Sequence, residues 1–229
     1  MIRILLWDVD GTLLDFQAAE RAALESLFRA FSLGTLKDEM IRRYSEINDG
    51  FWKRLERNEI TRQEVLVGRF RVFFGEMGIP GELAEVFNER YQEKLGDTVV
   101  FRDDSFHLVE SLRGRVRQYV VSNGTVVSQR RKLARSGLGE MMDGIFLSEA
   151  VGAEKPARAF FDAVFAQIPP AAGDEIMIVG DSLTSDILGG ILAGIRTCWY
   201  NPEGKAVPEG MRIDHVIRDL REVLSCLEA

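Results

Sequence analysis

The chain has 229 residues, of which 46% are hydrophobic and 28% are charged, as is usual for a globular protein. Its net charge of −7 argues against polymeric nucleic acid and against an anionic membrane as the main partner, because both bind basic surfaces. Two isolated cysteines cannot form a disulfide framework or a zinc site. With no bilayer-length apolar run, and with a strand pattern at the first residues, we expect a cytoplasmic protein without a signal peptide.

The hydrophobic pattern predicts strands that alternate with helices along most of the chain. Apolar runs predict strands at residues 2–7, 117–121, 144–147, 175–179 and 195–200. Amphipathic patterns predict helices at residues 105–113, 126–136, 158–167, 184–193 and 220–227. Such alternation indicates βαβ units, so we predict an α/β fold with a Rossmann-like parallel sheet and helices on both faces.

One stretch, residues 16–96, breaks this alternation. Its pattern predicts only helices, at residues 17–31, 37–57, 62–77 and 82–94. We therefore predict two domains, an α/β catalytic core of residues 1–15 and 97–229 and an inserted helical cap of residues 16–96. An insert directly after the first strand can act as a lid that excludes water and selects substrates.

The most informative motif is DVDGT at residues 8–12, where the first strand ends. Asp8 and Asp10 are two carboxylates two positions apart, and buried acids are unfavourable unless they are paired, hydrogen-bonded or bound to metal. Gly11 allows a sharp turn or the close approach of a ligand. The motif predicts a site at the carboxyl edge of the sheet.

Three further motifs follow predicted strands. They are SNG at residues 122–124, the pair Lys155-Pro156, and GDS at residues 180–182 with Asp186 five residues after Asp181. Open α/β sheets place their sites beyond the carboxyl ends of the strands, so we expect these side chains to meet.

Together these residues supply what phosphoryl transfer through a carboxyl phosphate requires. Asp8 is the predicted nucleophile, and Asp10 is the predicted acid that protonates the leaving oxygen and then the base that deprotonates water. Asp8 and Asp181, with a backbone carbonyl at Asp10, are the predicted ligands of Mg²⁺, a cation that prefers oxygen. Without the cation, the carboxylates would repel an anionic phosphate.

The other residues have supporting roles in this hypothesis. Lys155 adds a positive charge beside the nucleophile. The Ser122 hydroxyl and backbone N–H groups near Asn123 hold phosphate oxygens at a strand-to-helix turn. Asp186 orients Lys155 or a metal-bound water.

The four motifs, in this order, resemble the signature of the haloacid dehalogenase (HAD) superfamily in its phosphatase branch. The resemblance covers the whole chain, because the helical insert lies where that superfamily carries its cap. It implies the same fold, a Mg²⁺-dependent hydrolase reaction and the same site residues.

A closer resemblance lies partly in the cap, in the runs NDGFW at residues 48–52 and GRF at residues 68–70. With SEAVG at residues 148–152 and GGILAG at residues 189–194, they resemble the house-cleaning pyrimidine 5′-nucleotidases. The resemblance implies hydrolysis of pyrimidine nucleoside monophosphates, with Trp52 and Arg69 as candidate substrate contacts. Aromatic residues on a helix face usually pack in the core, so both readings stay open for Trp52.

Several alternatives remain at this level. The substrate could be another small phosphomonoester, such as phosphoglycolate or a sugar phosphate, and the reaction could be that of a sugar-phosphate mutase. Asp10 and Asp181 argue against haloacid dehalogenation, and the helical insert argues against a receiver-like signalling module. The sequence leaves open whether the protein is a monomer or a dimer.

Overall fold

The structure is a computed structural model that describes residues 1–228. The chain forms two compact units, a core unit of Met1–Phe16 and Val99–Ala229 and a helical unit of Gln17–Thr98. None of the helices within the described residues combines the length and the apolar character needed to cross a bilayer.

The core unit is built on one parallel sheet. Its strands are β1 (Ile4–Trp7), β2 (Arg117–Ser122), β3 (Gly144–Leu147), β4 (Ile176–Gly180), β5 (Arg196–Tyr200) and β6 (His215–Ile217). They lie in the order β3-β2-β1-β4-β5-β6, and every pairing is parallel. The order reverses between β1 and β4, where Trp7 pairs with Val179. This reversal is where doubly wound sheets bind their ligands.

Helices cover both faces of the sheet, as predicted. They are α5 (Ser105–Ser111), α6 (Val126–Ser136), α7 (Ser148–Val151), α8 (Arg158–Phe165), α9 (Leu188–Ala193) and α10 (Val223–Cys226). Leu5 and Trp7 face one hydrophobic cluster, whereas Ile4 and Leu6 face the other. This alternation makes β1 apolar throughout, as buried parallel strands require. The predicted α/β fold class is confirmed.

Local structure differs from the prediction in several places, among them the short helix α7, which the sequence pattern does not predict. Strand β6 was not predicted, and the helix expected at residues 220–227 is a 3₁₀ turn, Leu220–Glu222, followed by the short α10. The helix predicted at residues 184–193 begins with a π-helical turn, Leu183–Ile187, before α9.

The helices of the helical unit are α1 (Phe16–Ala30), whose first residue lies in the core unit, α2 (Asp38–Glu56), α3 (Arg62–Met77) and α4 (Ala84–Leu95). Its core is aromatic: Tyr44 stacks on Phe70 with ring centroids 5.1 Å apart, and Phe70 meets Phe87 edge-on at 5.0 Å. Gly68 lets α3 approach α2, because a Cβ there would lie 2.8 Å from the Phe51 ring.

Candidate active site

The acidic motifs come together where the strand order reverses. Asp8 directly follows β1, and its backbone N–H donates to the Val179 carbonyl of β4 at 3.0 Å. Asp181 directly follows β4. Parallel pairing of these two strands therefore places both predicted carboxylates at the same edge of the sheet.

Lys155 is the centre of the charged network. Its ammonium, although the residue is only 1% exposed, donates to Asp8 Oδ1 at 2.9 Å, to Asp186 Oδ1 at 2.6 Å and to the Val121 carbonyl at 2.7 Å. Three acceptors match its three donors, so the cation is buried with its hydrogen bonds satisfied.

Asn123 fixes the backbone that carries Lys155. The Asn123 amide donates to the Lys155 carbonyl, the Lys155 N–H donates back to Asn123 Oδ1, and both distances are 2.9 Å. Ser122 is buried at the end of β2, and its hydroxyl accepts from the Gly124 N–H at 3.1 Å. The SNG motif thus positions Lys155 as well as offering polar groups at the sheet edge.

Asp8, Asp181 and Asp186 form a carboxylate cluster in which one oxygen from each lies within 4.8 Å of the others. Such a set of carboxylate oxygens suits a hard divalent cation. Thr12 ties two of the acids together, because its hydroxyl lies 3.1 Å from Asp8 Oδ2 and accepts from the Asp181 N–H at 3.1 Å. The sequence motifs alone do not indicate this role of Thr12.

Two glycines make room for these carboxylates. Gly11 has φ +93°, and a Cβ there would lie 2.5 Å from Asp181 Oδ2. A Cβ on Gly180 would lie 2.2 Å from Asp186 Oδ2. Asp186 is 1% exposed and also accepts from the Ser182 N–H at 3.1 Å.

Burial and mutual repulsion raise the pKa values of the clustered acids. Desolvation raises the pKa of Asp8 well above its ordinary value. The nearby Lys155 charge lowers this pKa, but repulsion from Asp186 and Asp181 raises it further, so the net change is upward. Asp181 is exposed as a residue, but its carboxylate is crowded, and desolvation with the Asp186 charge raises its pKa to about 7. Burial alone would lower the pKa of Lys155, but Asp186 and Asp8 raise it above its ordinary value. The cluster therefore favours any added positive charge.

Asp10 lies beside α6, and the sequence interpretation missed its partners. Gln129 Nε2 donates to Asp10 Oδ2 at 2.5 Å, and the buried Lys132 ammonium forms an ion pair with Asp10 Oδ1. Gln129 and Lys132 are three residues apart and share a helix face. Polar residues on the buried face of a helix that follows the SNG motif were the available signal.

The two candidate residues of the helical unit differ in environment. Arg69 is 2% exposed and donates to Asn48 Oδ1 at 2.6 Å and to Asn88 Oδ1 at 3.1 Å, so it belongs to the interior of that unit. Trp52 is half-buried on α2, with the Arg62 guanidinium 5.8 Å from its ring.

The sequence of the chain is similar to those of known proteins. Residues 2–194 match the model of the haloacid dehalogenase-like hydrolase family. The chain belongs to this family. It is 39% identical to the HAD-hydrolase YfnB of Bacillus subtilis, over 98% of this chain and 95% of that protein. It is 33% identical to the pyrimidine 5′-nucleotidase PynA of Streptococcus pneumoniae, over 99% of this chain and 95% of that protein.

Structural similarity extends over the same length. The crystal structure of B. subtilis YfnB bound to magnesium matches with a TM-score of 0.91 and 37% identity, and the match covers 100% of this chain and 99% of that one. The resemblance to HAD hydrolases stated from the motifs is confirmed.

Proposed function

We propose that this protein is a Mg²⁺-dependent phosphomonoester hydrolase that acts through an aspartyl phosphate on Asp8. The observation that carries the proposal is the position of the Asp8 carboxylate, which lies 2.9 Å from the Lys155 ammonium and beside two further acids at the strand reversal. A carboxylate held next to a cation at the carboxyl edge of a parallel sheet is suited to attack an anionic phosphorus centre.

The chain's own groups account for both halves of the reaction. Asp8 attacks phosphorus as the ester P–O bond breaks, and Asp10 gives a proton to the leaving oxygen. Water then attacks the aspartyl phosphate and loses a proton to Asp10, the bond from phosphorus to Asp8 breaks, and inorganic phosphate leaves. The Ser122 hydroxyl and the backbone near Asn123 hold phosphate oxygens, and Asp186 holds Lys155 in place.

The carboxylates of Asp8 and Asp181, with the Asp10 carbonyl, would hold the Mg²⁺. When bound, the cation neutralises carboxylate charge and stabilises charge on the transferring phosphoryl group. The crowding of the Asp8, Asp181 and Asp186 carboxylates within 4.8 Å of one another supports this assignment, because the single charge of Lys155 balances only one of the three.

We propose pyrimidine nucleoside monophosphates as the substrates, which is what the similarity to PynA supports. The helical unit would serve as the cap that selects them, with the half-buried Trp52 as a candidate contact. Arg69 is the weaker candidate of the two, because its guanidinium is already bound inside the helical unit.

The first experiment tests the nucleophile. Asp8→Asn, which is isosteric, should abolish release of phosphate and trapping of radiolabelled phosphate on the acid-quenched protein. Asp174→Asn, at an exposed acid of the core unit, is the matched control and should keep full activity. Turnover by Asp8→Asn, or by the wild type in excess chelator, would refute the mechanism.

The second experiment tests the substrate class. We expect dUMP, UMP and TMP to give higher kcat/KM than purine nucleotides, phosphoglycolate and sugar phosphates in the presence of Mg²⁺. Equal or better hydrolysis of the non-nucleotides would overturn the pyrimidine assignment and leave the phosphatase assignment intact. Isomerised sugar phosphate as the product would identify a mutase instead.

A further inference from the structure

Two buried side chains of α6 occupy both carboxylate oxygens of Asp10. Lys132 reaches Oδ1 and Gln129 reaches Oδ2. Lys132 is 1% exposed and Gln129 is fully buried, whereas the side chain of Asp10 is 21% exposed. Both oxygens of the carboxylate thus accept from buried donors, while the side chain stays partly exposed to solvent.

The burial of Lys132 is not explained by packing. Neighbouring basic residues of α6, Arg130 and Arg131, are exposed, as is usual for such side chains. A buried ion pair is often no more stabilising than apolar residues of the same volume. Methionine or leucine would fill this position on the helix face more simply, which points to a role in the site.

The local fold places the face of α6 that carries Gln129 and Lys132 next to Asp10. Helix α6 begins directly after the SNG turn, where the Thr125 hydroxyl accepts from the Ser128 N–H at 3.3 Å. A Cβ on Gly124 would lie 2.3 Å from Gln129 Nε2, so the glycine leaves the space through which Gln129 passes. The Phe16 ring lies 5.3 Å from the Lys132 ammonium and helps to confine it.

We propose that Lys132 and Gln129 are positioning residues that fix the direction of the Asp10 carboxyl group. This inference rests on the proposed function, in which Asp10 passes a proton to the leaving oxygen as the P–O bond breaks and recovers one from the attacking water. Without the two donors, the carboxyl group rotates freely about its side-chain bonds and meets the leaving oxygen less often. Loss of the two donors therefore slows the proton transfer to the leaving oxygen, while Asp8 and Lys155 keep their own contacts.

A change of leaving group separates this role from a general structural one. The nucleoside of UMP leaves as a poor alkoxide that needs a proton, whereas 4-nitrophenyl phosphate releases a stable phenolate that does not. The kcat/KM value covers the steps up to departure of the leaving group and excludes hydrolysis of the aspartyl phosphate. General acid catalysis contributes about 10²- to 10⁴-fold, so partial misdirection should be measurable.

We expect Lys132→Met to lower kcat/KM for UMP about tenfold more than for 4-nitrophenyl phosphate, a fraction of the full general-acid effect. Phosphoglycolate replaces UMP if the substrate panel favours it. Gln129→Leu should act in the same direction and carries the same test if Lys132→Met fails to fold. Arg130→Met removes an exposed charge from the same helix and should leave both values unchanged. Equal losses on both substrates would overturn the proposal.

A double-mutant cycle checks that Lys132 acts through Asp10. In an Asp10→Asn background, Lys132→Met should change kcat/KM for UMP less than about twofold, because the group it positions is already gone. Multiplicative losses would show an independent role and reject the inference. That result would leave the proposed function standing, which only an active Asp8→Asn protein or metal-independent turnover would remove.

Discussion

Lys155 contacts two of the three clustered carboxylates at the sheet edge, and its three hydrogen bonds fix the position of its ammonium. Asp8 and Asp186 each depend on this ammonium for charge compensation. The same contact that stabilises the folded site also presents a positive charge beside the proposed nucleophile. Stability and chemistry are therefore coupled at this residue.

Lys155→Met should lower kcat by at least about 10²-fold, as loss of one preorganised electrostatic group does elsewhere. It should also destabilise the metal-free protein by about 3–5 kcal/mol, because two buried carboxylates lose their partner. Steady-state kinetics in saturating Mg²⁺ and urea unfolding in chelator measure the two effects. Activity within a few fold of the wild type would remove Lys155 from the site.

Gly11→Ala should impair the site through the Asp181 carboxylate, which an added Cβ would meet at 2.5 Å. We expect a loss of about 1–3 kcal/mol from the left-handed backbone and, in addition, weaker Mg²⁺-dependent activity. Gly194→Ala is the matched control, since Gly194 has φ +74° and open space around its Cβ position. If both variants lose activity equally, the steric explanation is wrong.

At the scale of elements, the buried parts of the sheet could be predicted and its edge could not. Strands β1, β2 and β4 are continuous apolar runs because both faces are covered. Strand β6 has three residues on the sheet edge, and its Val216 is 44% exposed, so the run carries no comparable signal. Tertiary pairing with β5 decides its conformation.

In the candidate site, too, some residues could be predicted from the sequence and others could not. Asp8, Asp181 and Lys155 could be placed together because each follows a strand, and parallel strands end at one edge. Lys132 could not, because it lies in a basic run on a helix whose orientation depends on the Gly124 turn. The π-helical turn Leu183–Ile187 could not be predicted either, since it depends on the Ile187 N–H donating to the Ser182 carbonyl five residues earlier, at 3.1 Å, which hydrophobic periodicity does not encode.

Helix α3 offers a test of a purely local signal. Thr61 and Glu64 form a reciprocal capping box, in which the Thr61 N–H donates to Glu64 Oε2 at 2.7 Å. Thr61→Ala should lower the free energy of unfolding by about 1 kcal/mol. Thr61→Ser keeps the capping hydroxyl, so its free energy of unfolding should stay close to that of the wild type. Chemical unfolding of both variants measures the difference, and equal stability of the alanine and serine proteins would contradict it.

For the molecule as a whole, we expect stability to depend on pH through Glu20, a buried acid of the helical unit. Glu20 accepts from Asn48 at 3.3 Å and from Ser45, yet burial raises its pKa above the ordinary value of 4.5. A carboxyl group with a raised pKa binds its proton more tightly when folded. Its contribution to stability therefore falls as pH rises from about 4.5 through the raised value.

Glu20→Gln should remove this dependence. Relative to the wild type, the free energy of unfolding of the variant should rise with pH across that window, because only the wild type loses a carboxyl proton that folding holds more tightly. Urea unfolding from pH 4 to pH 8 measures it, with the exposed Glu25→Gln on the same helix as control. Parallel curves for Glu20→Gln and the wild type would show that the carboxyl group is not perturbed.

Mg²⁺ should stabilise the whole protein by mass action. At a concentration 100 times the dissociation constant, we expect about 2.7 kcal/mol and a corresponding rise in Tm. Asp181→Asn should lose most of this increment while its metal-free Tm stays the same or increases, because one repelling charge is gone. A Tm that Mg²⁺ does not move in the wild type would argue against a metal site.

The two backbone segments through which the chain leaves and re-enters the core unit are hydrogen-bonded to each other. Leu14 and Phe101 form an antiparallel bridge, and the Asp15 N–H donates to the Val100 carbonyl at 2.8 Å. The segment between these two positions therefore begins and ends at backbone stretches that are paired with each other. A change in the length or sequence of that insert therefore leaves the order of the core strands unchanged, so the two units can vary independently during evolution.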